Sequence, residues 1–496
     1  MSGTERILPR PAFVASLAPR DLADARRLAA RVPARASAIE YRLDLAAETI
    51  DSRALLDLDR RPVIATWRTT AESGNFSGGR DEYARLLQGA YEAGATVDVE
   101  HSSGLLADPS RFPDRSRVIV SLHAPFGLPA DWEKRLAAMR ATAARAAKLV
   151  VGAKDLPAAL NVAAIQKSHS DASVAVFPMG PASAPGRILA TFFGASLVYA
   201  PIEAPTAPGQ VPLAELLDVY QIDRPRKIDA LFGIVGEEVA GSLSPLLHNT
   251  LFRARELPYL YLPLPVADFD REKPQELAFD PRFRGFSVTR PWKQKAAETA
   301  VPTEDVVVTR AANTLLFERG RWRAENTDVD GIFDPLADHD TGEGRTAVNL
   351  GAGGVARAAV VAARKLGYEV LVASRRDEAA DALAGELTVD SLAWKDLAET
   401  EADLYLNATP IGSAPEDPPA FPKRVLEHRP LVFDCVYRRD GSPTPTIRVA
   451  RSARCPTIDG LQMFAAQAIR QARFFGAEGV TAAEVERALS VPREAA

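Results

Sequence analysis

Between residues 12 and about 221 the chain repeats one pattern eight times: a short apolar run that reads as a strand, then an alanine- and leucine-rich amphipathic stretch that reads as a helix. The runs are FVASLA (13–18), AIEYRLD (38–44), PVIATWR (62–68), TVDVE (96–100), RVIVSLH (117–123), AAKLVV (146–151), SVAVFP (173–178) and SLVYA (196–200). Helical patterns fill most gaps, as in DEYARLLQGAYEAG (81–94) and PADWEKRLAAMRATAARA (129–146). Strands buried on both faces and separated by helices belong in a parallel sheet, because each crossover lays a helix over it. Eight such units in about 210 residues predict a (β/α)8 barrel, with an open doubly wound sheet as the alternative.

The chain has 496 residues, more than one core fills, and a second alternation follows the first. QIDRPRK (221–227), polar with a proline, reads as a linker. New strand–helix units begin at Asp229-Ala-Leu-Phe-Gly-Ile-Val, are interrupted by a hairpin-like NTLLFERGRWRAENTD (313–328), and resume at Ala347-Val-Asn-Leu. The expected organisation is an α/β protein with a barrel domain over 1–222 and a second domain over 228–496. In the latter, residues 228–330 and the closing helices (459–489) form one lobe, and 331–458 a Rossmann nucleotide lobe. The net charge of −5 is small, and no basic or acidic block points to nucleic acid or a charged partner. Cys435 and Cys455 are the only cysteines and have no metal-ligand spacing, so a reduced, disulfide-free cytoplasmic protein is expected. MSGTERILPRPAF carries no apolar leader core, and no run of 18 apolar residues suggests a membrane span. Oligomeric state is left open.

Charged residues inside barrel strands are costly unless they face a site, and barrel sites lie at the C-terminal strand ends. Glu40, Arg42, Arg68, Glu100, His123 and Lys148 fall at or near those ends on successive runs. Any one alone reads better as a structural ion pair; six on one face read as a site. Lys148 sits in Ala-Ala-Lys-Leu-Val-Val, where little solvates an ammonium, and a neutral amine can attack a ketone to form a Schiff base. A lysine snorkelling from a strand end is the plainer alternative. His123 is a candidate proton carrier and Glu72 its orienting carboxylate.

GAGGVARA (351–358) follows an apolar strand and opens a helix, the setting of a dinucleotide loop, with Gly351, Ala352, Gly353, Gly354, Val355 and Ala356 at the phosphates. The next strand ends in Ser374-Arg375-Arg376 where an NAD site expects an acid. A neutral donor and two cations suit a 2′-phosphate, so the expected cofactor is NADP (as NADPH), with surface arginines as the alternative. VTRPWK (288–293) and AENTDVDG (324–331) add a lysine and an aspartate, an acid–base pair of the kind that carbonyl reduction requires. For an arbitrary pair 35 residues apart, a solvated salt bridge would be the commoner reading.

ExR around Glu40–Arg42, TWRTTAE (66–72), SLH (121–123), the lysine strand, PMG (178–180), PGR (185–187) and TAPGQ (206–210) resemble type I 3-dehydroquinate dehydratase, in order, across 12–215. GSLSP (241–245), GFSVTRPWK (285–293), RAANTL (310–315), ENTD (325–328) and DGLQMFAAQA (459–468) resemble shikimate dehydrogenase across about 230–490. The first resemblance implies a Schiff base on Lys148 and proton transfer by His123 with Glu72. It also implies substrate contacts from Glu40, Arg42, Arg68, Arg187, Thr206 and Gln210. The second implies catalysis by Lys293 and Asp328 and substrate binding by Ser242, Ser244, Thr289, Asn313 and Gln467. It places Asn407, Thr409, Val436 and Gly460 along the cofactor. Four positions depart from the two families' usual residues: Ala124, Phe177, Thr206 and Ser287. Together the resemblances imply a bifunctional enzyme taking 3-dehydroquinate through 3-dehydroshikimate to shikimate, in the order of the plant fusion. A catabolic quinate/shikimate dehydrogenase, a catalytically dead ligand sensor and an aldolase-like barrel fused to another oxidoreductase are the rivals.

Overall fold

The computed structural model describes residues 7–489 apart from 172, 225, 273–279, 340–341 and 439. The first six residues of the N-terminal segment and Pro225 of the expected linker lie outside the described residues. Contacts divide the chain into two units between Ile228 and Asp229.

In the first unit, strands β1 (Ala12–Leu17), β2 (Ala38–Arg42), β3 (Val63–Thr66), β4 (Thr96–Glu100), β5 (Val118–Ala124), β6 (Ala146–Gly152), β7 (Val174–Met179) and β8 (Leu197–Pro201) pair in parallel. Their order is β8-β1-β2-β3-β4-β5-β6-β7. Ser196 N–H donates to the Val174 carbonyl at 2.9 Å, between the two terminal strands, so the sheet curls into the expected barrel. Side-chain alternation then sorts each strand. On β6, Ala146 and Val150 join the interior cluster with Ile64, Ile119 and Phe177, whereas Ala147, Leu149 and Val151 pack outward with Leu136, Met139 and Val162. Period two therefore puts Lys148 inside the barrel. The same alternation on β5 turns Ser121 and His123 inward beyond Ile119, with Val120 and Leu122 outside.

The second unit has two sheets. One is mixed and runs β10 (Tyr259–Pro265), β9 (Ala230–Gly236), β11 (Phe283–Val288), β13 (Thr314–Glu318), β14 (Arg321–Glu325), β12 (Val301–Pro302). β13 and β14 form the expected hairpin, closed by Arg319 and Gly320 with φ of +50° and +78°, the doubly left-handed turn that matches strand twist. The other sheet is parallel, in the order β17 (Asp390–Leu392), β16 (Glu369–Ala373), β15 (Thr346–Leu350), β18 (Leu404–Asn407), β19 (Leu431–Asp434), β20 (Thr457–Ile458). Counted from β15 this is the dinucleotide-binding order, with β15 and β18 flanking the switch point. The helix Gly460–Phe474 serves both lobes: Phe464, Ala468 and Ala472 pack on the mixed-sheet core and Met463 on the nucleotide-lobe core. The last helix, Ala482–Leu489, packs Val485 and Ala488 on the former.

Candidate active sites

The barrel interior holds one continuous buried charge network. The Arg68 guanidinium lies 3.0 Å from Asp98, 3.0 Å from Glu100 and 3.3 Å from Glu72, and also donates to Ser121 Oγ at 3.0 Å. Lys148 Nζ pairs with the other oxygen of Asp98 and sits 4.4 Å over the Tyr199 ring. Glu72 accepts from the His123 backbone N–H at 2.8 Å and from Ser102 Oγ at 2.9 Å, and its Oε2 lies 3.1 Å from His123 Nδ1. Nδ1 is thus committed to the carboxylate, and Nε2 is the nitrogen left for a substrate.

Burial pushes Glu72 up to about 7 against the pull of Arg68, with Glu100 adding to the rise. His123 is held well below its ordinary value by burial and then by Arg68, Lys148, Arg42 and Arg187, so its ring is a neutral base near pH 7. Burial would raise Asp98 too, yet Lys148 and Arg68 overcome it and keep this carboxylate far below the usual range.

Glu40 accepts from Ser16 Oγ at 2.5 Å and Thr66 Oγ1 at 2.9 Å, and Ser16 Oγ lies 3.0 Å from Thr206 Oγ1. Arg42 forks onto Asp44 at 2.8 Å on both arms and reaches the Thr206 carbonyl at 3.2 Å. Gln210 folds its amide oxygen back onto the N–H groups of Thr206 and Ala207 at 2.8 and 3.1 Å, so it shapes the loop and leaves its NH2 free. Gly209, at φ +75°, lies so close to the Gly180 carbonyl that a Cβ there would come within 2.2 Å of it. That contact docks the TAPGQ loop on PMG. Arg187 is buried with Nε unpartnered among the described residues, and burial lowers it to about 10.

In the second unit Lys293 Nζ meets Asp328 Oδ2 at 2.5 Å, and Asn313 Nδ2 donates to Asp328 Oδ1 at 2.9 Å. These residues line a cavity of about 520 Å³ with Ser242, Ser244, Thr289, Val436, Gly460 and Gln467. Asn313 also accepts from Thr327 N–H at 2.9 Å, and the Thr327 hydroxyl reaches Gln467 at 3.3 Å, so these cavity residues are cross-braced. Tyr261 OH donates to Ser287 Oγ at 2.6 Å, which donates to Gln471 at 3.0 Å.

An adjoining cleft of about 610 Å³ shares Lys293, Val355, Ala408 and Thr409 with this cavity and continues over Gly351–Gly354 to Ser374, Arg375 and Arg376. Both arginines are exposed and form no ion pair among the described residues, a donor set that fits the 2′-phosphate of NADP. Two expected cofactor residues stand back from the cleft. Ala356 is fully buried in the lobe core, and Asn407, also fully buried, holds Asp434 at 2.8 Å and fixes Thr409 through 2.6 and 3.1 Å bonds.

Sequence reading missed Asp98, Tyr199, Tyr437 and Gln471. The charged-strand argument applied to TVDVE would have found Asp98, since it too lies inside a barrel strand. Tyr437 and Gln471 line the cavity but belong to no loop whose spacing carries chemistry.

The family model for type I 3-dehydroquinase matches residues 13–227, and that for the shikimate dehydrogenase substrate binding domain matches 234–315. A bifunctional 3-dehydroquinate dehydratase/shikimate dehydrogenase of Arabidopsis thaliana, chloroplastic by name, is 29% identical over 89% of this chain and 77% of its own. The shikimate dehydrogenase (NADP(+)) of Methanocella arvoryzae is 36% identical over 48% of this chain and 89% of its own. A solved shikimate 5-dehydrogenase of Thermus thermophilus in complex with NADP(H) and shikimate overlays with a TM-score of 0.46 and 29% identity, covering 52% of this chain and 98% of that one. The chain belongs to the shikimate dehydrogenase family and carries a type I 3-dehydroquinase ahead of that part.

Proposed function

We propose that the two sites act in sequence, the barrel dehydrating 3-dehydroquinate to 3-dehydroshikimate and the second unit reducing that ketone to shikimate. In the first step Lys148 gives up a proton and its amine adds to the ring ketone, whose oxygen takes up that proton and leaves as water to give an iminium. His123 takes the adjacent carbon proton through Nε2, and the electron pair flows to the cationic nitrogen. The β-hydroxyl then departs with a proton returned by the imidazole, and water releases the product from Lys148. Glu72 stabilises the imidazolium as it forms. Arg187 meets the substrate carboxylate together with the Gln210 amide, Glu40, Arg42 and Thr206 hold the ring hydroxyls, and Arg68, expected among them, instead fixes Asp98, Glu100 and Glu72 behind the site.

When bound, NADPH supplies the hydride. Gly351–Val355 hold its diphosphate, Ser374, Arg375 and Arg376 its 2′-phosphate, and Thr409, Val436 and Gly460 its nicotinamide side. Lys293 delivers a proton to the oxygen that becomes the new hydroxyl, with Asp328 orienting it. Ser242 and Ser244 bind the carboxylate, and Thr289, Asn313 and Gln467 the ring. The compartment we propose is the cytoplasm, in keeping with two cysteines that are free thiols. No helix among the described residues is long and apolar enough to cross a membrane.

The observation that carries this reading is the pairing of a buried base and its carboxylate beside Lys148 in one unit, and of Lys293 with Asp328 between substrate cavity and nucleotide cleft in the other. 3-Dehydroquinate and NADPH given together should yield shikimate. No shikimate from either 3-dehydroquinate or 3-dehydroshikimate would sink the whole proposal, and shikimate from the latter alone would sink the barrel's part.

A further inference from the structure

One cation on the wall between substrate cavity and nucleotide cleft has no task in the chemistry above. Arg290 lines both spaces. Its side chain is exposed and forms no ion pair among the described residues. It belongs to the mixed-sheet lobe, yet within the cleft it shares the walls with Gly351–Val355, the turn that opens the nucleotide-lobe helix Gly354–Lys365.

Arg290 stands on a braced segment. Thr289 N–H donates to the Val235 carbonyl at 2.8 Å on one side, and Trp292 Nε1–H to the Val266 carbonyl at 2.8 Å on the other. Three residues on, Lys293 lies so near the glycine turn that a Cβ on Gly354 would stand 3.2 Å from its Cβ and Cδ. The two lobes therefore approach one another beside the turn, where both contribute walls to the cleft that Arg290 lines. An unpaired guanidinium that shares a cleft with a turn of backbone N–H groups and a helix N-terminus sits in positive potential, which disfavours it until an anion arrives. The negative charge such a turn takes is a diphosphate, and a guanidinium offers it a fork of donors.

We propose that Arg290 is a cofactor-binding residue that grips the diphosphate of the dinucleotide from the opposite lobe. The glycine turn holds one side of that group and Arg290 the other, so cofactor binding ties the lobes together across the cleft. This rests on the assignment of NADP to the cleft.

The test is calorimetric titration of the full chain, without substrate, using NADP+ and adenosine 2′-monophosphate. The second ligand keeps the 2′-phosphate and lacks the diphosphate. Arg290→Ala should weaken NADP+ tenfold or more and leave adenosine 2′-monophosphate within twofold of wild type, and Arg290→Lys should recover part of the loss. Arg375→Ala should weaken both ligands. Unchanged NADP+ affinity in Arg290→Ala, or equal losses for the two ligands, overturns the proposal. So does a defect seen only when shikimate is titrated, which would make Arg290 a substrate residue. Failure of the wild-type chain to bind NADP+ would instead remove the cofactor assignment itself.

Discussion

The two sites handle charge in opposite ways. In the barrel the reactive groups are sealed into a network in which one guanidinium serves three carboxylates, and Lys148 is tied to the same Asp98. In the second unit Lys293 and Asp328 form a single pair on the wall of an open cavity, held by neutral amides and hydroxyls. A buried network couples every member to the others, so single changes there should cost stability as well as rate. A single pair on a cavity wall, whose aspartate keeps its Asn313 bond when the lysine is removed, should yield to substitution of the lysine mainly with a loss of rate.

The largest effect separates the two most cleanly. Lys148→Ala should reduce dehydratase activity to background and leave 3-dehydroshikimate reduction intact, because the second unit has its own core. Borohydride with 3-dehydroquinate should trap an adduct on Lys148, since an iminium is reducible. An adduct that persists in the alanine variant would place the Schiff base elsewhere.

Stability comes next. Arg68→Met leaves Asp98, Glu72 and Glu100 without their shared partner in a dry interior, and losing one side of a buried pair costs about 3–5 kcal/mol. Differential scanning calorimetry should show the barrel transition falling while the dehydrogenase retains activity after mild heating. An unmoved transition would mean that the network contributes no cohesion.

Glu72 sharpens the comparison through pH. Its folded value of about 7 lies above its ordinary 4.5, so the folded state holds this proton more tightly than the unfolded state. The associated stability is complete below about 4.5 and is lost as pH rises through about 7. Glu72→Gln should therefore gain stability relative to wild type above pH 7, by up to about 3 kcal/mol at about 1.4 kcal/mol per pH unit. Wild-type dehydratase kcat/KM should fall on acidification through about 7, as the His123–Glu72 pair takes up a proton, and the variant should lose that limb. Chemical denaturation at pH 6 and 8 measures the first effect; equal offsets at both would rule out the linkage.

For the single pair, Lys293→Ala should lower dehydrogenase turnover by about 10²-fold with little change in shikimate affinity. A raised KM with turnover intact would recast the lysine as an anchor.

How much of each site could be read in advance follows from the same contrast. Strand alternation exposes a charged residue by its surroundings, so Glu40, Arg68, Glu100, His123 and Lys148 stood out among valines and alanines. Glycine spacing marked the nucleotide turn, and the absent acid after β16 marked the cofactor's phosphate. What stayed hidden were partners set by tertiary approach: Asp98 under Lys148, Gln471 from a distant helix onto Ser287, and the retreat of Asn407 behind Thr409. No local period encodes which side chains meet across a barrel or a cleft. The helical pattern over 129–146 likewise stops short, the helix covering Trp132–Ala141, because Ala143 turns left-handed at φ +56° and the chain then enters β6.

The smallest effect tests why the turn carries a third glycine. Glycines in such turns are usually credited to the close approach of a diphosphate, and a Cβ at Gly353 meets no protein atom within 4 Å, which suits that account. At Gly354 the nearest atoms are the Cβ and Cδ of Lys293, each 3.2 Å from an added Cβ, tight enough that the lysine must yield by a few tenths of an ångström. Gly354→Ala should thus displace Lys293, and a misplacement of about 1 Å can cost on the order of 10²-fold in rate. A loss of roughly three- to tenfold in turnover is expected, about 1 kcal/mol, with NADP+ affinity near wild type. Gly353→Ala should do the reverse, weakening NADP+ and sparing turnover at saturation. If both variants lose only cofactor affinity, Gly354 serves the nucleotide alone, and the contact between the turn and Lys293 has no consequence for turnover.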